Sequence, residues 1–241
     1  MALPVVVPAA GEGSRMEPLA GDRPKPLVSV AGRPLLKHVF GAVPRDAVTT
    51  FVVVTGPDDA IESTIGETVD GVPIEYATQP SPDGLGDAVA QAEPFVDGAF
   101  GVVNGDNVLR GDLTALFETH RNSDADATLL VTEASGAAAT AGGVCVFDEG
   151  GSLSGYVEKP EDPPSSIVSA GAFVFEPVVF EALRQIEPSG RGELELTDAV
   201  DHLLGTGRRV ETVHLDGDRV NVNSPGDVRA AEKLLGSRQS R

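Results

Sequence analysis

Leu3-Pro4-Val5-Val6-Val7-Pro8-Ala9-Ala10-Gly11-Glu12-Gly13-Ser14-Arg15-Met16 stands at the head of the chain, and Arg23-Pro24-Lys25-Pro26-Leu27 follows shortly after. Leu3–Pro8 is an unbroken apolar run, as a parallel strand buried on both faces is. A glycine-rich loop comes next. Backbone N–H groups reach phosphate oxygens only where no Cβ intervenes, so a strand feeding such a loop reads as a nucleotide-binding α/β start. Two common forms are excluded. A dinucleotide fingerprint needs a glycine where Met16 stands, and a P-loop needs Gly-Lys-Ser or Gly-Lys-Thr, which this stretch lacks. What remains is a loop with two kinds of cation. Arg15 brings a planar fork for phosphate, and Lys25 a point charge that Pro24 and Pro26 keep from wandering. The stretch from Ala9 to Lys25 is therefore expected to cradle a nucleoside triphosphate, with Ala9, Ala10, Gly11, Gly13 and Ser14 against the nucleotide, although a flexible surface loop would use the same glycines.

Outward from the loop, short β-rich runs alternate with helical patterns, which predicts βαβ units and a largely parallel sheet. Pro34–Val43 reads as a helix with Pro34 in its first turn. Thr50–Thr55, Pro73–Ala77 and Ala99–Asn104 read as strands, and Pro57–Thr68 and Gly86–Glu93 as helices. Asp112 reads as the N-cap of a helix reaching Arg121. The pattern then changes. Ala127–Thr132, Gly142–Phe147, Leu153–Val157 and Ile167–Phe175 are strands separated by loops, followed by helices over Glu176–Gln185 and Leu194–Leu204. A strand pair near Arg209–Leu215 and Val220–Val222 precedes a helix that Pro225 starts, and residues 236–241 are expected to fray. The expected class is α/β: a Rossmann-like, mixed but mainly parallel central sheet flanked by helices, with an added antiparallel portion. One domain over residues 1–241 is expected, with halves at 1–125 and 126–235.

The chain has 241 residues, enough to bury a core without a metal or disulfide staple. No apolar run reaches the length of a membrane span, and the opening residues read as a strand, not as a signal peptide. Cys145 is the one cysteine, which rules out an intrachain disulfide and fits a reducing cytoplasm. Its place in an apolar strand predicts an inert buried thiol. Eighteen basic against 37 acidic residues give a formal charge of −19, which argues against nucleic-acid binding. The acid is dispersed and lysine is scarce: Lys25, Lys37, Lys159 and Lys233. A cytoplasm of very high salt favours such a surface, since screening removes its self-repulsion. Any anionic substrate must be held by a few local cations against that background.

Further stretches carry chemistry. Gln79 offers an amide donor and acceptor to a pyrimidine edge, and Gly84-Leu85-Gly86-Asp87-Ala88 opens a helix where glycines permit close approach. Val103-Asn104-Gly105-Asp106-Asn107 ends an apolar strand with a carboxylate. Ligands of open α/β sheets bind beyond the strands' carboxyl ends, so Asp106 is well placed to hold Mg²⁺, although a plain turn would use the same residues. Tyr156-Val157-Glu158-Lys159-Pro160 ends another strand, and Lys159 is one of the four lysines. His38, His120, His202 and His214 show no ligand spacing, and no Ser-His-Asp or Cys-His arrangement suggests nucleophilic catalysis.

Together with Ala9–Val30, Gly32-Arg33-Pro34-Leu35, Gly142-Gly143-Val144, Ser169-Ala170-Gly171-Ala172-Phe173 and Glu193-Leu194-Glu195-Leu196-Thr197-Asp198, these stretches resemble the motifs of the sugar-1-phosphate nucleotidylyltransferases. That family includes glucose-1-phosphate thymidylyl- and uridylyltransferases. The similarity spans nearly the whole chain and keeps the family's order. It implies that Arg15 and Lys25 act on the triphosphate, that Gln79 and Gly84 face the base, and that Asp106 binds Mg²⁺. It further implies that Glu158 contacts sugar hydroxyls, that Lys159 contacts the sugar phosphate, and that Gly143 and Gly171 border the sugar. For Thr197 and Asp198, capping and packing compete with ligand contact. One departure stands out. Where the family usually has a second metal-binding aspartate, this chain reads Asn221-Val222-Asn223-Ser224-Pro225. An amide oxygen can still coordinate a hard cation, but without charge, so weaker Mg²⁺ binding is implied.

The implied reaction passes a nucleotidyl group from UTP or dTTP to a sugar 1-phosphate, glucose 1-phosphate by default. A regulatory subunit of the same fold and a transferase with a non-sugar phosphorylated acceptor are the alternatives. Small molecules are the expected partners, not nucleic acid or membrane, and a homo-oligomer is left open.

Overall fold

The computed structural model describes residues 2–11 and 23–236. Strand β1 (Leu3–Pro8) is the apolar run that opens the chain. A small hairpin of β2 (Ser29–Val30) and β3 (Arg33–Pro34) leads into helix α1 (Leu35–Ala42). Next come β4 (Val48–Thr55), α2 (Ala60–Ile65), β5 (Thr68–Val69), β6 (Val72–Thr78), α3 (Leu85–Ala90) and β7 (Phe100–Val103). The chain continues through β8 (Asn107–Gly111), α4 (Thr114–Arg121), β9 (Ala127–Glu133), β10 (Gly143–Phe147), β11 (Leu153–Glu158) and β12 (Ile167–Phe175). It closes with α5 (Val178–Leu183), α6 (Leu196–Gly205), β13 (Val210–His214), β14 (Gly217–Asn221) and α7 (Pro225–Gly236).

β1 lies between β4 and β7, parallel to both, and β6 pairs parallel with β4. The chain thus builds outward from β1 through β4 to β6, then crosses back to place β7 on the other side of β1. Such a reversal opens a crevice at the carboxyl ends of the two strands. Beyond β7 the sheet turns antiparallel: β12 pairs with β7, β9 and β10, and β11 pairs with β10. The α/β class with a mainly parallel core and an antiparallel addition is what the alternation of patterns predicts. Helices cover both faces, so β1 divides its side chains between two cores. Val5 and Val7 pack with Leu36, Phe40 and Leu116, whereas Val6 packs with Val89, Phe180 and Leu203.

Two glycines clasp the strand ends where the crevice opens. The Gly105 N–H donates to the Pro8 carbonyl at 3.1 Å, and a Cβ at Gly105 would lie 2.3 Å from that oxygen. Gly171 sits at φ 75° inside β12, at a break in register between Ser169 and Phe173. There the Asn107 side-chain amide donates to the Ala170 carbonyl at 3.0 Å, and a Cβ at Gly171 would fall 1.8 Å from its Nδ2. The Asn104 N–H donates to the Gly171 carbonyl at 2.9 Å. The parallel and antiparallel portions therefore meet through contacts only glycine permits.

Three expectations need correction. The helix expected over Pro57–Thr68 is confined to Ala60–Ile65, because Gly66 takes φ 83° and ends it, and Thr68–Val69 pairs with β6. Asp112 is not the N-cap: the helix begins at Thr114 with Leu113 in that place, and Asp112 Oδ1 accepts from the Thr114 N–H at 2.8 Å one residue further out. No strand is predicted over Asn107–Gly111, and the strands near Arg209–Leu215 and Val220–Val222 are expected to pair with each other. Instead β13 pairs parallel with β9, while Asn107–Gly111 forms β8 and pairs antiparallel with β14, Asn107 facing Asn221. That pairing brings a C-terminal strand to the crevice.

Because their contacts are so close, Gly171→Ala and Gly105→Ala are each expected to lower the unfolding free energy by about 1–3 kcal/mol. Gly98→Ala, where a Cβ would meet nothing within 4 Å, should stay within about 0.5 kcal/mol of wild type. Denaturant melts at fixed salt compare the three, and an unaffected Gly171→Ala would contradict the described packing.

Candidate active site

A cleft of about 770 Å³ opens at the carboxyl ends of β1 and β7. Ala9, Ala10 and Gly11 form one lip as the continuation of β1, with the Ala9 N–H donating to the Val54 carbonyl at 2.7 Å. Lys25 lies in a single 3₁₀ turn, Lys25–Leu27, that follows Pro24, and is only 8% exposed. Its Nζ donates to Asp106 Oδ2 at 2.8 Å and to Asn223 Oδ1 at 2.6 Å. The Asn223 amide in turn donates to Asn221 Oδ1 at 2.8 Å. Four side chains from β1's loop, β7's end and β14's end thus form one polar chain.

The start of α7 holds Asn223 in place. Asp227 Oδ2 accepts from the Asn223 N–H at 3.0 Å and from Ser224 Oγ at 2.8 Å, while the Asp227 N–H donates to Ser224 Oγ at 3.3 Å. With Pro225 as the first helical residue, this is a capping box used to aim a neighbour.

Gln79 is buried after β6, and its Nε2 donates to the Gly84 carbonyl at 3.0 Å and to Asp87 Oδ2 at 2.8 Å. Both partners are pure acceptors, so the orientation of the amide is settled and both its hydrogens are used. Only the carbonyl oxygen is left for a ligand. The glycines that follow serve a different neighbour from the one expected. A Cβ at Gly84 or Gly86 would meet the Leu194 carbonyl at 2.6 or 2.7 Å, and Leu194 pairs with this segment through the Asp83 carbonyl and the Gly86 N–H. The close approach they allow is that of protein backbone.

Across the cleft, β11 ends in Glu158, and Lys159 follows at φ 43°, a left-handed conformation uncommon for lysine. The Lys159 N–H donates to the Gly142 carbonyl at 3.1 Å, and its Nζ stands 3.1 Å from Glu158. Burial pushes the Glu158 carboxyl above its usual range, with Lys159 opposing the shift. Arg191 reaches into the same acidic group, 2.7 Å from Glu195 and 4.0 Å from Glu158. Gly143 must be glycine for Tyr156, whose hydroxyl would lie 2.4 Å from a Cβ there. Burial holds the Tyr156 phenol far above its usual range, and hence neutral. Among the described residues, Asn104 Oδ1, Asn107 Oδ1 and Thr197 Oγ1 are buried without a partner, and all three residues line the cleft. Acceptors left bare in this way suit a ligand that brings hydroxyl donors.

All the described candidates converge: Ala9, Ala10, Gly11, Lys25, Gln79, Gly84, Asp106, Gly143, Glu158, Lys159, Gly171 and Asn221 line this one cleft. Gly13, Ser14 and Arg15 lie outside the described residues. Asn223, Arg219 and Arg191 escaped the sequence reading. For the first two the signal is the alternation Arg219-x-Asn221-x-Asn223, which puts alternate side chains of an extended segment on one face. Cys145 is buried, and burial pushes its thiol up to about 12, in keeping with an inert role. His120 is buried against Thr128 at 2.9 Å, a packing role.

Oxygen donors for a hard cation are few. Among the described residues no three of His, Cys, Asp and Glu gather as a metal cage. Asp106 offers one carboxylate and Asn221 one amide oxygen. This set fits Mg²⁺, which commonly takes one or two carboxylates and completes its shell with substrate phosphates and water.

The chain is similar to several known proteins. The family described as nucleotidyl transferase matches residues 4–218. A UTP–glucose-1-phosphate uridylyltransferase of Haloferax volcanii is 37% identical over 95% of this chain and 95% of its own length. A glucose-1-phosphate thymidylyltransferase of Streptomyces antibioticus is 33% identical over 88% of this chain, which spans 60% of that longer protein. In fold, a Bacillus anthracis crystal structure assigned to a glucose-1-phosphate thymidylyltransferase, in complex with sucrose, matches with TM-score 0.88. It is 24% identical and covers 100% of this chain and 98% of that one.

Glu158 gives a pH test. A carboxyl raised in the fold favours the protonated form there, so its contribution is full below the ordinary value near 4.5 and is lost as pH rises through the raised one. Glu158→Gln does not titrate. In ligand-free protein its melting temperature should gain on wild type as pH climbs above about 4.5, then level off. A difference that stays flat across a scan from about pH 4 to 8 would contradict the burial of a charged Glu158.

Proposed function

Because the chain belongs to the nucleotidyl transferase family, we propose that it transfers a nucleotidyl group from a nucleoside triphosphate to a sugar 1-phosphate, giving a nucleoside-diphosphate sugar and pyrophosphate. UTP and glucose 1-phosphate are the favoured pair. The observation that carries this reading is the pairing of Lys25 and Asp106 on one wall of the cleft with Glu158 and Lys159 on another. One set suits a triphosphate and the other a phosphorylated sugar.

A phosphate oxygen of the sugar phosphate attacks the α-phosphorus in line, the α–β bridging bond breaks, and pyrophosphate leaves with that electron pair. Such a transfer needs little covalent help, and positioning with charge neutralisation does most of the work. Lys25 and Arg15 neutralise the triphosphate and the departing pyrophosphate. The backbone of Ala9, Ala10, Gly11, Gly13 and Ser14 borders the phosphates. Lys159 holds the attacking phosphate, Glu158 accepts sugar hydroxyls, and Gly143 and Gly171 leave room beside the ring. Asp106, with Asn221, would hold Mg²⁺, which when bound lowers the charge on the phosphate oxygens. Residues 1–125 thereby serve the nucleotide and 126–235 the sugar.

Gln79 supports a uracil or thymine base. Its remaining carbonyl oxygen can accept from the N3–H of either, whereas cytosine presents a lone pair at N3. The Haloferax volcanii relative, named for UTP, points to uracil.

With UTP, glucose 1-phosphate and Mg²⁺, pyrophosphate release is expected from wild type. Lys25→Ala and Asp106→Ala should each lose on the order of a hundredfold or more in rate, the scale of one preorganised charge contact. Near-normal turnover in either variant would sink the roles assigned here, and silence of the wild type across a panel of triphosphates and sugar phosphates would favour a regulatory subunit.

A further inference from the structure

Arg219 is a cation that the roles above leave unused. It sits on β14, two residues before Asn221 and on the same face of the strand, and it lines the cleft together with Tyr156 and Asp106. The register of β14 on β8 sets its depth: Arg219 pairs with Leu109 and Asn221 with Asn107, while the Val222 N–H donates to the Asp106 carbonyl at 2.8 Å. The guanidinium is half-buried, and burial draws its pKa down from the ordinary arginine value. Of the groups that act on it, Tyr156 comes first and Asp106 second, and Lys25 already holds Asp106 at 2.8 Å. Among the described residues no carboxylate forms an ion pair with Arg219.

An arginine in this position is unusual in a chain of 37 acidic residues, where a partner would be easy to supply. Partly desolvating a guanidinium without an anion costs stability, so the arrangement suits a site whose anion arrives with the ligand. Its five donors in a planar fork match two oxygens of one phosphate. Location then separates the phosphates. Lys25 holds Asp106 and lines the cleft with Ala9, Ala10 and Gly11, where the triphosphate is expected. Arg219 lines the cleft close enough to Tyr156 for the two to interact, and the strand of Tyr156, β11, ends at Glu158 with Lys159 next, where the sugar phosphate is expected.

We propose that Arg219 grips the phosphate of the sugar 1-phosphate and orients its attacking oxygen, opposite the triphosphate held by Lys25. The proposal rests on the nucleotidyl-transfer reading above. Two oxygens held by the fork leave the third free to face the α-phosphorus.

Steady-state kinetics of R219Q and R219K, with melting curves as a folding control, provide the test. The melting temperatures should not fall below that of wild type. In R219Q the KM for glucose 1-phosphate should rise about tenfold or more, the scale of one charge-assisted contact, while the KM for UTP changes less than about threefold. R219K should recover part of the loss, and the thermal shift that glucose 1-phosphate gives the wild type should shrink in R219Q while the shift from UTP persists. A rise in the UTP KM equal to or larger than that for glucose 1-phosphate, or no change in either, would overturn the assignment. A wild type that neither turns over nor shifts with any sugar 1-phosphate would instead overturn the parent reading.

Discussion

Lys25 and Asp106 meet at 2.8 Å, and the cleft is organised around that contact. It ties the 3₁₀ turn behind the glycine-rich loop to the end of β7, and through Asn223 it extends to the end of β14. The contact matters because the surrounding charge is adverse. A formal charge of −19 repels any phosphate ligand, yet salt confines that repulsion to about 10 Å at 0.1 M and less at higher ionic strength. Cations that touch the ligand act inside that length. The placing of Lys25, Lys159 and Arg219 on the walls of one cleft therefore counts for more than the total charge.

Placing them depends on backbone approaches that side chains would block. Gly105 closes on Pro8, Gly171 makes room for Asn107, and Gly143 makes room for Tyr156. Each lies where parallel strands meet antiparallel ones or where two walls of the cleft touch. The same economy explains Gly84 and Gly86, which admit the backbone of Leu194 and so bind the loop after Gln79 to the segment that carries Glu193 and Glu195. Gln79 is then held by two acceptors, which leaves its own carbonyl oxygen outside those bonds. The loop after Gln79 and the segment before α6 are one packed unit.

The parts legible in the sequence are those whose meaning is local. β1 and its loop announce themselves by an apolar run followed by glycines. Asp106 and Glu158–Lys159 are readable because each ends a strand, and strand ends in this class face the ligand. Arg219 and Asn223 carry only the alternation of their segment, and where its face points depends on β14 pairing with β8, a distant partner that carries no strong strand signal of its own. The glycines were half legible: a close approach was evident, but not what approaches. The overlong helix over Pro57–Thr68 has a simpler cause, a periodic pattern that runs past Gly66 although the positive φ there ends the helix.

Phosphorus NMR of the wild type with UTP, glucose 1-phosphate and Mg²⁺ tests the central claim most directly, since it follows every phosphorus at once. The account predicts that the signals of UTP and the sugar phosphate fall together, while pyrophosphate and a sugar-linked diphosphate rise in equal amounts. Formation of UDP with inorganic phosphate, or consumption of UTP with the sugar phosphate untouched, would contradict it.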